Sequence, residues 1–129
     1  MKPLPILAVL PLLAGCAIIP DTPRVGTEAA AQGTAVGLGQ PVWLGDTIVT
    51  PMRVTEDSRC PVDAECVWAG RLVVDTRISA AHWQQTTPLT LGQAHTVMNR
   101  TIALVSAAPE KRADRETDPR AYRFTFEGR

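Results

Sequence analysis

The chain has little of what most enzymes and nucleic-acid binders advertise. It carries two histidines, and its 13 basic and 13 acidic residues cancel. A balanced chain with no basic stripe does not point to nucleic acid, which favours a cationic face. Lys2 and Lys111 are its only lysines. No Gly-x-Ser-x-Gly, His-Glu-x-x-His or phosphate loop occurs, and Gly37-Leu38-Gly39 reads as a turn. Aromatics make up 5% of the residues, which leaves poor material for the deep sugar cleft of a glycosidase, although paired carboxylates need only spatial proximity. No apolar run approaches the roughly 20 residues a transmembrane helix needs.

What is present begins at the first residues, MKPLPILAVLPLLAGC. Lys2 gives a short positive start, and Leu4 to Ala14 is an uncharged apolar run of the length of a secretory h-region. Leu13-Ala14-Gly15-Cys16 closely resembles the lipobox of bacterial lipoproteins. That resemblance implies a signal peptide over residues 1–15, cleavage before Cys16, and lipid on its sulfur and new amino end, palmitate among the acyl chains. Several acyl chains hold a protein on a bilayer, at about 0.8 kcal/mol per buried methylene. Ala17, where some lipoproteins have Asp, resembles the pattern sent to the outer membrane in Gram-negative cells. The expected location is therefore the cell envelope, on the periplasmic face of the outer membrane, with the membrane as a partner through Cys16.

Residues 16–34 combine prolines, small residues and no sustained period, and read as the lipidated N-terminus and a flexible tether. From residue 35 to 129 the pattern becomes short alternating runs separated by turn residues. Val42-Trp43-Leu44 is followed by Gly45-Asp46 and a run in which Ile48, Thr50, Met52 and Val54 are expected to share the core face. Pro51 places that run at a sheet edge or a bulge. Leu72, Val74, Thr76 and Ile78 share one face of the next run. Trp83, Leu89 and Leu91 are in phase in another, with an irregularity expected at Pro88. Thr101 to Ala107 is a compact strand, and Tyr122, Phe124 and Phe126 alternate with polar residues. Residues 109–120, dense in both charges, read as a solvated loop or a frayed helix. About six to eight short strands without a convincing helix predict an all-β domain, an antiparallel sandwich or barrel.

The distinctive stretch is DSRCPVDAECVWAG, residues 57–70. Asp57-Ser58-Arg59-Cys60-Pro61 and Cys66-Val67-Trp68-Ala69-Gly70 resemble the two halves of a motif in small secreted and lipid-anchored bacterial proteins without an assigned activity. The likeness extends to Thr50-Pro51, to Leu89–Gly92 and to the terminal Tyr-Arg-Phe-Thr-Phe, and it lends neither reaction nor ligand. With export implied and Cys16 given to lipid, Cys60 and Cys66 are left to form one disulfide in an oxidising compartment. Their closure of a short loop removes modest chain entropy, on the order of 2 kcal/mol. A turn at Pro61-Val62-Asp63 fits that loop, with proline second. Trp68, in phase with Leu72 to Ile78, is expected to pack over the sulfurs in the core.

Other chemistries fit less well. Five residues between the cysteines is too wide for a redox pair and for the usual zinc spacing, and His82 and His95 stand far apart. Glu56, Asp57, Asp63 and Glu65 offer oxygens for calcium, but Arg59 and Arg71 oppose a cation. The expectation is a protein without metal, cofactor or catalytic residues: a lipid-anchored, non-enzymatic binding or structural module of the envelope, with a possible envelope protein as partner. Its rivals are a periplasmic inhibitor that presents the 60–66 loop to a hydrolase, and a small carboxylate-dependent hydrolase. Cys16→Ser is expected to release the protein from the membrane fraction or leave its precursor uncut. Detergent phase partition reads this, and an unchanged, mature, membrane-bound variant would refute the anchor.

Overall fold

The computed structural model describes residue 3 and residues 28–129. Apart from residue 3, the segment 1–15, Cys16 and the first part of the tether lie outside the described residues. Seven strands follow: β1 (Val42–Leu44), β2 (Thr47–Asp57), β3 (Leu72–Ala80), β4 (Trp83–Thr90), β5 (Ala94–Val97), β6 (Arg100–Ala108) and β7 (Arg123–Gly128). A single 3₁₀ turn, Pro119–Ala121, precedes β7. All strand pairs are antiparallel, in one sheet of order β1-β2-β3-β4 and another of order β5-β6-β7. The expected all-β antiparallel domain with one short-loop disulfide is what the structure holds.

Tight turns set the registers. Leu44 pairs with Thr47 around Gly45, whose φ of 60° suits a residue without Cβ. Val97 pairs with Arg100 around Met98 and Asn99, at φ 47° and 63°. Two central residues with positive φ make the hairpin turn whose twist matches its strands. Asn99 tolerates that conformation and Met98 does so less readily. Because Met-Asn is a weak turn signal, β5 has no counterpart among the runs expected from the sequence.

The two sheets enclose one core. Val42, Val49, Leu72, Val74, Ile78 and Leu89 come from the first sheet, and Ile102, Leu104, Phe124 and Phe126 from the second. Tyr122 and Phe124 stack with centroids 5.5 Å apart. The expected faces of β3 and of the C-terminal strand are both core faces, because each strand keeps an unbroken period of two.

β2 behaves differently. Its first half buries Thr47, Val49 and Pro51, not the expected Ile48, Thr50 and Met52. Register shifts between Pro51 and Arg53, and between Val54 and Glu56, then change which residues face inward, so that Val54 packs on the core as expected. An extra residue in one strand of a pair flips the parity beyond it, and no alternation count survives that. The bulge expected of Pro51 is therefore present, and it invalidates the face expected before it. Pro88 produces no irregularity: β3 and β4 pair without a shift from Val73–Thr90 to Ala80–Trp83. Leu91 N donates to Leu72 O, so the inward-bonding positions of β4 are odd. Pro88, lacking a donor, falls on the free edge where none is needed.

The domain also begins earlier than residue 35. Ala30 N donates to Pro41 O and Trp43 N donates to Ala30 O, at 2.8 and 2.9 Å. Val36 and Phe124 exchange two backbone bonds. The stretch from Ala30 to Val36 thus passes from the β1 edge of one sheet to the β7 edge of the other. Small residues allow this close passage, and their lack of apolar period hid it.

Candidate functional site

The disulfide loop joins the end of β2 to the start of β3, and its neck is closed by backbone. Ser58 N donates to Arg71 O at 2.8 Å, and Arg71 N donates to Ser58 Oγ at 3.0 Å. Arg71 Nε reaches Glu56 Oε2 at 2.7 Å. Gly70 lies against this neck with φ 64°, and a Cβ there would fall 1.7 Å from Ser58 O. Only glycine fits. Cys60 and Cys66 are bonded, with Cα atoms 5.8 Å apart. Ala64 N donates to Pro61 O at 3.2 Å, which makes Pro61 the first residue of the turn and not the second, with Val62 and Asp63 at its centre.

The charged segment after β6 is the expected loop, mostly exposed to solvent, but it is not free. It folds back on the disulfide loop. Val62 N donates to Lys111 O at 2.9 Å, and Ala113 N donates to Asp63 Oδ1 at 2.7 Å. Arg112 lies 3.6 Å from the same carboxylate, and Lys111 Nζ donates to Asp57 O. Asp63 therefore serves as an acceptor for backbone and guanidinium, which explains an acid at the turn better than a solvated rim does.

Beneath the loop sits Asp57. Arg59 donates to both its oxygens at 2.8 and 2.9 Å, and Tyr122 Oη donates at 2.8 Å. The side chains of Arg59 and Asp57 are only 16% and 11% exposed. Burial opposes the charge of Asp57, but the Arg59 and Tyr122 hydrogen bonds, with the nearby Arg59 and Lys111 charges, outweigh it. The carboxyl is held below its usual range. Burial pushes the Tyr122 hydroxyl up, and the adjacent Asp57 carboxylate adds to this. The hydrogen bond to Asp57 raises Arg59 above its ordinary value. The first half of the motif thus meets the Tyr of the terminal Tyr-Arg-Phe-Thr-Phe in one polar contact. Sequence spacing carried no sign of this, since 65 positions separate the partners.

Trp68 is not core. It is 62% exposed and Val67 is 95% exposed. The parity of Trp68 with Leu72 to Ile78 does not carry over, because β3 starts at Leu72. The positive φ of Gly70 breaks the phase before it. The motif residues therefore divide by role. Asp57, Ser58, Arg59 and Gly70 hold the loop, Pro61 starts its turn, and Trp68 faces solvent.

Among the described residues no group of three or more His, Cys, Asp or Glu is placed to hold a metal ion. His95 Nε2 lies 3.4 Å from Thr87 Oγ1, and His82 is exposed. Between the disulfide loop and the 109–121 segment run two clefts of about 510 Å³ each, sharing Arg112, Arg115, Glu116 and Thr117. Among their acids, Asp57, Asp114 and Asp118 are paired with arginines, Asp114 with Arg112 at 2.9 Å. No helix among the described residues is long and apolar enough to cross a membrane. Comparison with protein-family models, curated proteins and solved structures finds no match to this chain.

Gly70→Ala is expected to lower stability by about 3 kcal/mol or more, because a backbone clash adds to the positive-φ strain. Gly39→Ala, with φ 82° and open space around its Cβ, meets strain alone and should lose about 1–2 kcal/mol. Urea melts compare the two, and equal losses would contradict the close approach at Gly70. The lowered Asp57 pKa has a definite sign. Its contribution is fully present above the unfolded carboxyl value near 3.9 and is lost as pH falls through the lower folded value. Asp57→Asn should lose about 3 kcal/mol at neutral pH by stranding Arg59, and its stability should fall less steeply than that of the native protein below about pH 4. Melts between pH 2 and 7 measure this, and parallel acid limbs would rule it out.

Proposed function

We propose that this protein is a lipid-anchored, non-enzymatic binding module of the cell envelope that presents its disulfide loop to a partner protein. The observation that carries the reading is the exposure of Val67 and Trp68, 95% and 62%, on a loop that is otherwise tied down. A disulfide, a backbone neck and two clamps from the 109–121 segment fix its shape. Rigid apolar side chains held outward are what protein partners use as anchors, and prior ordering removes part of the entropy that binding costs. A purely structural module would be expected to bury its Trp68. Lipid on Cys16, after removal of residues 1–15, would hold the module on the periplasmic face of the outer membrane.

The same rigidity favours a second reading within this one, in which the partner is a periplasmic hydrolase and the loop enters its cleft as an inhibitor. A hydrolase role for the chain itself has less support, because Glu56, Asp57 and Asp63 are committed to arginines.

Trp68→Ala is expected to change stability by no more than about 0.5 kcal/mol, as exposed sites do. It should weaken partner binding by about 2 kcal/mol, roughly 30-fold. The measurement is capture from envelope extracts on the full-length protein in detergent, with Val105→Ala, at another exposed apolar residue, as the control. Capture that is indifferent to Trp68 would sink the reading. A captured hydrolase that the native loop slows, and the Trp68→Ala loop does not, would make the module an inhibitor.

A further inference from the structure

Away from the disulfide loop, the outer face of the β1–β4 sheet carries an arginine with nothing to hold. The other arginines among the described residues each have a carboxylate or backbone oxygen within reach. Arg77 has none, and its Nε is buried without an acceptor. Arg77 stands on β3 in register with Thr50 of β2 and Thr86 of β4. The neighbouring row holds Trp43, Ile48, Ser79 and Gln84 across the four strands. These positions alternate with the core residues Val42, Val49, Ile78 and Thr87, so they share the outward face. The nearest acid on that face, Asp75, is engaged by Arg53 at 2.9 Å.

That Nε is costly to leave unpaired, since the donor loses water and gains no acceptor. A central strand position between two threonines also fixes its place. Two strand spacings and one row separate Trp43 from Arg77, about 12 Å at the usual spacings. Trp43 is 43% exposed and lies near the β1 edge as a flat apolar plate. We propose that this face binds a carboxylated saccharide, with Arg77 taking the carboxylate through the terminal N–H groups of its guanidinium and Trp43 stacking on a sugar ring. Thr50, Thr86, Ser79 and Gln84 supply the hydroxyls and amide that sugar hydroxyls pair with. A guanidinium matches a planar carboxylate in charge and shape. A phosphodiester polymer would need several free cations, and among the described residues this face has one. This site is independent of Trp68 and of the loop's role.

The test is calorimetric titration of the full-length protein in detergent with digalacturonic acid, with the N-acetylglucosaminyl-N-acetylmuramic acid disaccharide, and with lactose as the neutral control. At least one acidic disaccharide is expected to bind tenfold or more tightly than lactose. Arg77→Gln should abolish that preference while melting no lower than the native protein, Trp43→Ala should weaken binding about tenfold, and Trp68→Ala should change neither. A readout needing no Arg77 variant is the indole N–H resonance of Trp43 in the native protein, which should move on titration while those of Trp68 and Trp83 stay. Two acidic disaccharides that bind no better than lactose, a preference that survives in Arg77→Gln, or a response at Trp68 in place of Trp43 would each overturn the proposal.

Discussion

The carboxylate of Asp57 is the contact on which the functional end of the molecule depends. It ends β2 in the first sheet, and Tyr122, which leads into β7 of the second, donates to it at 2.8 Å. Arg59 closes on it from the loop, and Lys111 holds its backbone oxygen from the segment after β6. One acid therefore ties two sheets, the disulfide loop and the charged segment together. Its near-burial makes each bond stronger than a surface equivalent and makes loss of any partner expensive. The other end of β2 has a weaker counterpart. Asp46 pairs with Arg100 at 2.7 Å, and Arg100 lies over the Trp83 ring at 5.7 Å. That carboxylate is 76% exposed, so the contact positions the turn and adds little stability. The two aspartates bracket the same strand, and burial decides which one matters.

The bulges of β2 bear on the same contact. Asp57 reaches a tyrosine of the facing sheet from the parity that buries Thr47 and Val49 at the start of β2. One register shift alone would turn it away, and the two, after Pro51 and after Val54, cancel. Pro51 suits the place because β1 pairs only with residues 47–49. No ladder bond on that side is lost beyond Val49.

What could be read from the sequence, and what could not, divides along one physical line. Where a strand keeps its period and its neighbours are local, the letters suffice. The inward faces of β3 and of Phe124 and Phe126, and the Cys60–Cys66 closure, belong to this class. Where the outcome rests on contacts between distant segments, they do not. Tyr122 on Asp57, Lys111 and Ala113 on the loop, and Ala30 against β1 leave no local trace. Phase extrapolated through an irregularity misleads outright, as at Ile48 and at Trp68. In both cases the strand's continuity fails between the residue and the positions that set its phase. Gly70 itself was legible as part of the motif, but its reason, the 1.7 Å approach to Ser58 O, needed three dimensions.

The way the loop is held bears on what it is free to do. Many loops gain their shape by burying their own large side chains, so that a mutation at a contact residue also unfolds the contact surface. Here the shape comes from a covalent bond, from backbone hydrogen bonds at the neck, and from polar clamps at Asp63 and Lys111. None of these uses Val67 or Trp68. Two apolar residues are thereby left without a folding role, at a cost in exposed surface that the core does not recover. The shape of the loop therefore does not depend on Val67 or Trp68, and a change at either leaves the disulfide, the neck and the clamps in place.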